Sequence, residues 1–366
     1  MVENKLGSKI EGEEYLVLHE FAKKAKAKLS KETWDYLIGA AETETTFKRN
    51  RFALDSLAFR PRVLRDVENV DISTNLVGHS LRMPVILAPI GSMQDFVDGA
   101  GIAPTIAASE FGILHMISST CMPGLEEVAK SVNYPKLFQL YVRGNQNWVD
   151  DQIKSAIDCN YAGICLTVDL DAYGRRERDL AKRYRTTSRQ SASGFEYQMR
   201  FSWKDIDRIK SYCDLPIIIK GIATKEDALL AIKHGVEIIY VSNHGGRQLD
   251  FGVGGLNVLP EIVEVVENKA KIIFDGGIMR GTDVLKAMAL GADCVGIGRL
   301  QGFAAAAGGS KAIFRMLELL EAEILTGLRL LGLNSLTELD KSYLSKDYAF
   351  DSKNVLSAFP LIDEGY

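Results

Sequence analysis

The sequence predicts an α/β protein, a (β/α)8 TIM barrel with an N-terminal helical extension. Three observations carry that expectation. From residue 84 onward, eight short apolar runs rich in β-branched residues alternate with helix-sized segments. Continuous apolar runs of this kind suit parallel strands buried on both faces, and eight of them fit a closed barrel better than an open doubly wound sheet. Finally, the polar residues of these runs fall at their C-terminal ends, the rim on which such barrels build their sites.

In chain order, residues 13–41 read as helical, because Tyr15, Leu16, Leu18, Phe21, Ala22 and Ala25 recur at helical spacing. Ser30 is a candidate N-cap for a second helix, KETWDYLIGAA, and the basic stretch Lys23 to Lys31 reads as a solvated face. The strands expected next are 84–89, 113–118, 136–141, 163–169, 216–221, 238–243, 271–277 and 294–299. Between the fourth strand and a helix starting near Trp203 lies a polar, basic, Ser/Thr-rich stretch, 170–202. A loop of that length at the catalytic end of a barrel is expected to be a lid, a binding loop or disordered. Residues 310–332 read as a closing amphipathic helix. The division expected is an extension over 1–83 packed on a barrel over 84–366, one structural domain overall.

Composition narrows the function. The 366 residues are 46% hydrophobic and 25% charged, as in ordinary globular proteins, and the net charge of -4 gives no reason to expect nucleic acid or an anionic membrane as partner. Five dispersed cysteines without a Cys/His cluster argue for a reducing compartment and against a disulfide framework or a metal site. The N-terminus lacks the apolar core of a signal peptide, and no apolar run is long enough to span a bilayer, so a cytoplasmic protein is expected.

The segment richest in chemistry is Ser242-Asn243-His244-Gly245-Gly246-Arg247-Gln248-Leu249-Asp250. A histidine at a strand end can take a proton near neutral pH, two glycines let the backbone turn tightly, and an arginine presents a planar fork to a carboxylate. Other polar strand ends are Gln139, Tyr141, Thr167, Asp169, Lys220, Asp275 and Arg299. On the residues alone, Asp169 reads either as a polar strand end facing the shared pocket or as a helix N-cap. Tyr36 reads either as a site residue or as helix packing. The Asp275-Gly276-Gly277 and Gly298-Arg299 pairs, on the last two strands, suit a phosphate.

SNHGGRQLD resembles the signature of the FMN-dependent 2-hydroxy acid oxidising family, which includes glycolate oxidase, lactate oxidase, lactate monooxygenase, mandelate dehydrogenase and flavocytochrome b2. The similarity runs from about Trp34 to the closing helix, with the motifs in family order. The resemblance implies FMN as cofactor and a small-molecule 2-hydroxy acid as substrate. It assigns His244 as the base, Asp169 as its partner, Arg176 and Arg247 as the carboxylate clamp, and Tyr36 and Tyr141 as the two active-site tyrosines. Lys220 would lie near flavin N1 and O2. Ser118, Gln139, Thr167 and Ser242 would bond the ring or ribityl chain, Pro89-Ile90-Gly91 would run along the flavin edge, and Asp275, Gly276, Gly277, Gly298 and Arg299 would hold the phosphate. It also implies a homo-oligomer, tetramer or octamer, with oxygen or a separate electron acceptor.

The chain departs from the family pattern at four places. Met279 stands where a phosphate-binding arginine is usual, with Arg280 next to it and expected to point elsewhere. Thr120 stands for a tryptophan of glycolate oxidase-like members, Tyr173 for a common aliphatic, and Gly91 for an alanine of glycolate and lactate oxidases. Two other readings are kept: a redox-neutral or NAD(P)H-linked FMN barrel such as a type 2 isopentenyl diphosphate isomerase, and a flavin-binding protein without turnover.

Overall fold

The computed structural model describes residues 14–190, 194–347, 358, 359 and 362. Eight parallel strands close into a barrel in sequential order: β1 (Val85–Leu87), β2 (Leu114–Ser118), β3 (Leu137–Leu140), β4 (Ile164–Thr167), β5 (Ile217–Ile222), β6 (Ile238–Val241), β7 (Lys271–Phe274) and β8 (Cys294–Ile297). Each lies within one of the eight apolar runs or extends it by a residue. The sequence signal was strong because nearly every strand residue is buried, whichever way it faces.

Strand side chains alternate between faces, and here the alternation sorts them into two apolar clusters. Leu114, Met116, Leu137, Cys165, Ile218 and Tyr240 pack inside the barrel, while Ile113, Ile117, Phe138, Ile164 and Ile219 pack outward against the helices. Continuing the inward phase by two residues reaches Ser118 from Met116, Gln139 from Leu137, Thr167 from Cys165, Lys220 from Ile218 and Ser242 from Tyr240. The barrel interior is therefore apolar for most of its depth and polar at its C-terminal rim. Tyr240 fills the space that Gly296 leaves, since a Cβ on that glycine would lie 1.8 Å from the tyrosine oxygen.

The N-terminal helices His19–Lys28 and Lys31–Ile38 pack beside the barrel, with Ser30 Oγ accepting from the Thr33 amide as the expected N-cap. Trp34 stacks on Phe303 with ring centroids 5.5 Å apart, fixing the second helix to the last one. A third helix, Thr45–Asp55, follows. Residues 1–13 of the expected extension lie outside the described residues. The rest of the extension is not purely helical. Leu57–Phe59 pairs antiparallel with Leu344–Lys346, and Thr74–Leu76 forms a hairpin with His79–Leu81. Leu76 and Leu81 join the interior cluster of the barrel.

Two other segments are more ordered or longer than their patterns showed. The stretch 170–202 is largely folded, with short helices Glu177–Ala181 and Thr187–Gln190 and a 3-10 turn Phe195–Arg200; its residues 191–193 lie outside the described part. The closing helix lies where it was expected, from 310 to Leu331, and a further helical stretch from Arg299 precedes it across a break at Gly308 and Gly309, where the dihedrals leave the helical region.

One buried ion pair ties the third helix to the barrel top. Arg51, 4% exposed, donates to both oxygens of Asp283 at 2.7 Å and to the Gly277 carbonyl at 3.0 Å. Asp283 in turn accepts from the Met279 and Arg280 amides. Removing Asp283 would leave the buried Arg51 with the partly exposed Asp55, at 2.6 Å, as its remaining carboxylate and would strip two amides of their acceptor. Asp283→Ala is therefore expected to lower stability by about 3–5 kcal/mol, read as a shift of the urea unfolding midpoint.

Candidate active site

His244 follows β6 and adopts a left-handed backbone conformation, φ 57°. The turn is held by Asn243, whose side chain accepts from the Gly246 amide at 3.2 Å and exchanges two hydrogen bonds with Asn50 of the third helix. Neither glycine after His244 can be replaced freely. A Cβ on Gly246 would lie 2.7 Å from the Phe47 backbone, and one on Gly245 2.6 Å from Arg299 Nη1. The imidazole Nδ1 is 2.9 Å from Asp169 Oδ1, and Nε2 is 3.3 Å from the Tyr141 hydroxyl. Burial lowers the His244 pKa below 6.5, more than the neighbouring Asp169 raises it, so the ring is neutral at neutral pH. Burial works the other way on Asp169, but His244 and then Lys220 outweigh it and keep the carboxylate ionised.

Two guanidinium groups face the same cavity. Arg176 is 6% exposed, donates to the Tyr173 hydroxyl, and lies 5.7 Å from the Tyr36 ring centroid; Arg247 lies 4.6 Å over the same ring. Arg247 is aimed by two hydrogen bonds of 2.8 Å to the Tyr36 and Gly39 carbonyls, so the N-terminal helix shapes the site. Burial, then the like charge of Arg176, lowers the Arg247 pKa. Burial would raise the Tyr36 phenol, but Arg247 and Arg176 together bring it below 10.0.

At the rim of β5 to β7, Lys220 donates to Ser242 Oγ at 2.8 Å and lies 3.1 Å from Asp275 Oδ2, while Ser242 donates to Asp275 Oδ1 at 2.6 Å. Ser242 Oγ also accepts from the His244 amide at 3.0 Å, which joins the lysine cluster to the imidazole. Burial opposes the Lys220 charge, but Asp275 and Asp169 outweigh it and raise its pKa. Gln139 donates to Thr167 Oγ1 at 2.8 Å.

The cavity between these groups encloses ≈ 1260 Å³, its open mouth included. Tyr36, Tyr141, Arg176, Lys220, His244 and Arg247 line it, as do Pro89, Ile90, Gly91, Asp275, Gly276, Gly277, Gly298 and Arg299. Ser118, Gln139, Thr167 and Ser242 are buried and are not part of its wall; Asp169 stands behind the imidazole. The substituted positions lie here too. The Thr120 hydroxyl donates to the Gly91 carbonyl at 3.2 Å, and a Cβ on Gly91 would come within 2.3 Å of that hydroxyl, so the two departures are sterically coupled.

The comparisons with known proteins agree with one another. The sequence profile of the FMN-dependent dehydrogenase family matches residues 25–346. The chain belongs to that family. It is 36% identical to glycolate oxidase 3 of Arabidopsis thaliana over 93% of this chain and 98% of that one, and 34% identical to the L-lactate oxidase of a Nostoc strain over 89% and 97%. A crystal structure of a mandelate oxidase with 3,3-difluoro-2-hydroxy-3-phenylpropionic acid superposes with a TM-score of 0.85 at 33% identity, covering 92% of this chain and all of that one.

This FMN-dependent dehydrogenase has groups suited to the cofactor. Arg299, on the cavity wall, has a buried Nε without a hydrogen-bond partner among the described residues, a donor that a ligand in the cavity would satisfy. Arg299 is a cation whose pKa burial and then Arg247 drive far down, so an anion beside it would relieve the strain. With Gly276, Gly277 and Gly298 it would hold the phosphate. Met279 is buried and lines the cavity, and Arg280 points away, paired with Glu323 at 2.6 Å. Sequence reasoning passed over Arg143, Ser188 and Arg189, which line the cavity from poorly patterned segments, and Asn50, which supports the histidine turn from a distant helix. Gly245→Ala is expected to weaken FMN retention at least about tenfold by displacing Arg299 and straining φ, measured as the dissociation constant of apoprotein for FMN.

Proposed function

We propose that this chain oxidises an (S)-2-hydroxy acid to the 2-oxo acid, with His244 as the base. The observation that carries the reading is the convergence of a neutral, carboxylate-paired imidazole and two guanidinium groups on one cavity. FMN, when bound, supplies the two-electron sink. Asp169 accepts a hydrogen bond from Nδ1–H, which leaves Nε2 with its lone pair as the proton acceptor and lets the charged imidazolium form against a carboxylate. Arg176 and Arg247 bind the substrate carboxylate from two sides, with the Tyr36 hydroxyl beside them. Tyr141, at Nε2, positions the reacting oxygen. Lys220, buried and charged at the cavity wall, would stabilise the negative charge that reduction of a bound flavin builds. The names of the relatives, glycolate, lactate and mandelate oxidases, support the substrate class. No observation favours the isomerase or non-catalytic readings.

We infer further that the protein is cytoplasmic and homo-oligomeric, and that oxygen or a separate acceptor reoxidises it. All five cysteines are free, in keeping with a reducing compartment. Among the described residues no helix is long and apolar enough to cross a membrane. Exposed Leu249, Phe251 and Val253 lie together beside the third helix, which exposes Phe52, an apolar surface of the kind that subunits cover.

Anaerobic mixing with a panel of 2-hydroxy acids is expected to bleach the oxidised flavin spectrum; no bleaching by any of them would overturn the assignment. His244→Ala is expected to keep bound flavin and to slow its reduction by about 10²- to 10⁴-fold. Because the base must be unprotonated and its pKa lies below 6.5, the rate of flavin reduction should be flat above that pH and fall only as the pH drops below it.

A further inference from the structure

The two arginines of the carboxylate clamp are held in different ways. Arg247 donates to two backbone carbonyls, those of Tyr36 and Gly39, at 2.8 Å each. Those acceptors are fixed by the helix end that carries them, so this guanidinium has little freedom. Arg176 has no such support. It is buried, and among the described residues its side chain makes a single hydrogen bond, from Nη1 to the Tyr173 hydroxyl. Its Nε, also buried, has no hydrogen-bond partner there. A long side chain with one hydrogen bond keeps much of its rotamer freedom unless a further contact removes it.

Tyr173 supplies that contact as well. Besides accepting from Nη1, it offers its ring to the guanidinium, with the Arg176 carbon 4.2 Å from the ring centroid. Arg189 lies over the same ring at 3.8 Å. Tyr36 extends the arrangement, with Arg176 5.7 Å and Arg247 4.6 Å from its centroid. Guanidinium and phenol groups thus alternate from Arg189 through Tyr173, Arg176 and Tyr36 to Arg247. The electron-rich face of an aromatic ring attracts a cation, most strongly away from water, so the two phenols offset part of the repulsion among the three arginines.

Tyr173 can hold Arg176 only if it is itself fixed. Gln248, the neighbour of Arg247 in sequence, donates to the carbonyls of Asp169 and Ala172 at 2.8 and 3.0 Å and accepts from the Gly174 amide at 3.4 Å. Gly174 passes so close that a Cβ there would lie 2.4 Å from the Arg247 carbonyl oxygen. The segment bearing Tyr173 is therefore fastened to the segment bearing the other clamp arginine. Arg189, which shares its ring, sits on a short helix tied to the barrel by Thr187 with Asp95 and by Ser188 with Ser92. The residue type matters too. Tyr173 stands where the family pattern has an aliphatic, and an aliphatic side chain has neither an acceptor nor a π face to offer.

We propose that Tyr173 is a positioning residue for substrate binding: its hydroxyl and ring hold the Arg176 guanidinium in the orientation that receives the reacting carboxylate. The inference rests on the hydroxy acid reading above and deepens it. Because Tyr173 acts through Arg176, it governs recognition of the substrate's charge rather than of its side chain. The Asp169–His244 pair is held by contacts that do not include Tyr173, so the effect falls on binding and not on proton removal.

The test titrates oxidised holoenzyme with 2-oxobutanoate and phenylglyoxylate, and with their carboxamides, and follows the flavin absorbance. Tyr173→Leu is expected to weaken binding of the acids roughly 10- to 100-fold, the worth of one charge-assisted contact, and that of the amides by less than about threefold. Tyr173→Phe keeps the ring without the hydroxyl and should fall between leucine and wild type. A mere change of pocket shape would weaken acid and amide alike. In an Arg176→Met background, Tyr173→Leu should alter acid affinity by less than about threefold, because the group it acts through is gone. In anaerobic flavin reduction by (S)-2-hydroxybutanoate or (S)-mandelate, Tyr173→Leu should raise KM by a factor like that on Kd and leave the limiting rate within about fivefold. Equal losses for acid and amide, unchanged acid binding in both tyrosine variants, or full additivity with Arg176→Met overturns this inference and leaves the hydroxy acid assignment standing. Failure of every hydroxy acid to reduce the wild-type flavin sinks the assignment itself.

Discussion

The contact between Asp169 and His244 exists because the ends of three consecutive barrel strands, β4, β5 and β6, are held in step. Thr167 of β4 registers with Lys220 of β5, and β5 carries an irregularity at its end before the ladder resumes with Ile222 opposite Val241 of β6. Asp169 lies two residues beyond Thr167, and His244 three beyond Val241. Gly221, with φ 115°, passes so close to Asp169 that a Cβ there would lie 2.8 Å from the aspartate Cβ. The carboxylate thus reaches across β5 to the imidazole over a strand with no side chain at the crossing point. Every later feature of the site, from the orientation of Nε2 to the placement of Tyr141 beside it, presupposes that crossing.

Around this pair, polar groups are linked in series rather than paired off. Lys220, Asp275 and Ser242 satisfy one another, Ser242 holds the His244 amide, and Asn243 locks to Asn50. Such a network leaves few rotamers open, which is what positions a base to within hydrogen-bond tolerance. The N-terminal segment takes part in the same rigidity. The carbonyls of Tyr36 and Gly39 aim Arg247, and Gly39 aims Arg299 as well, so one turn of chain outside the barrel orients a guanidinium toward each half of the cavity.

The barrel was legible because parallel strands buried on both faces leave uninterrupted apolar runs, and the rim was legible because polar residues interrupt those runs in a consistent phase. His244, Arg247 and Asp169 were legible on top of that through a family resemblance. What escaped notice depends on tertiary contact. Leu57–Phe59 and Leu344–Lys346 are three-residue strands from opposite ends of the chain, too short to show a period. The helices at 177–181 and 187–190 are shorter than any that hold alone in water and are fastened by Glu44, Asp95 and Ser92. Arg143 and Arg189 sit in no recognisable motif, and only the folded chain brings them to one wall. Whether that segment was a lid, a binding loop or disordered stayed open in the sequence because its order is borrowed from its neighbours.

The crowding of cations at the rim has a consequence for how the protein matures. A chain that folds around repelling guanidinium groups gains from any anion that settles among them, so cofactor capture and consolidation of the top of the barrel become one thermodynamic event. A ligand present at a hundred times its dissociation constant adds about 2.7 kcal/mol to the native state, a sizeable share of the margin on which most domains survive. Loss of the flavin would then cost stability as well as activity, since the same anion would serve both.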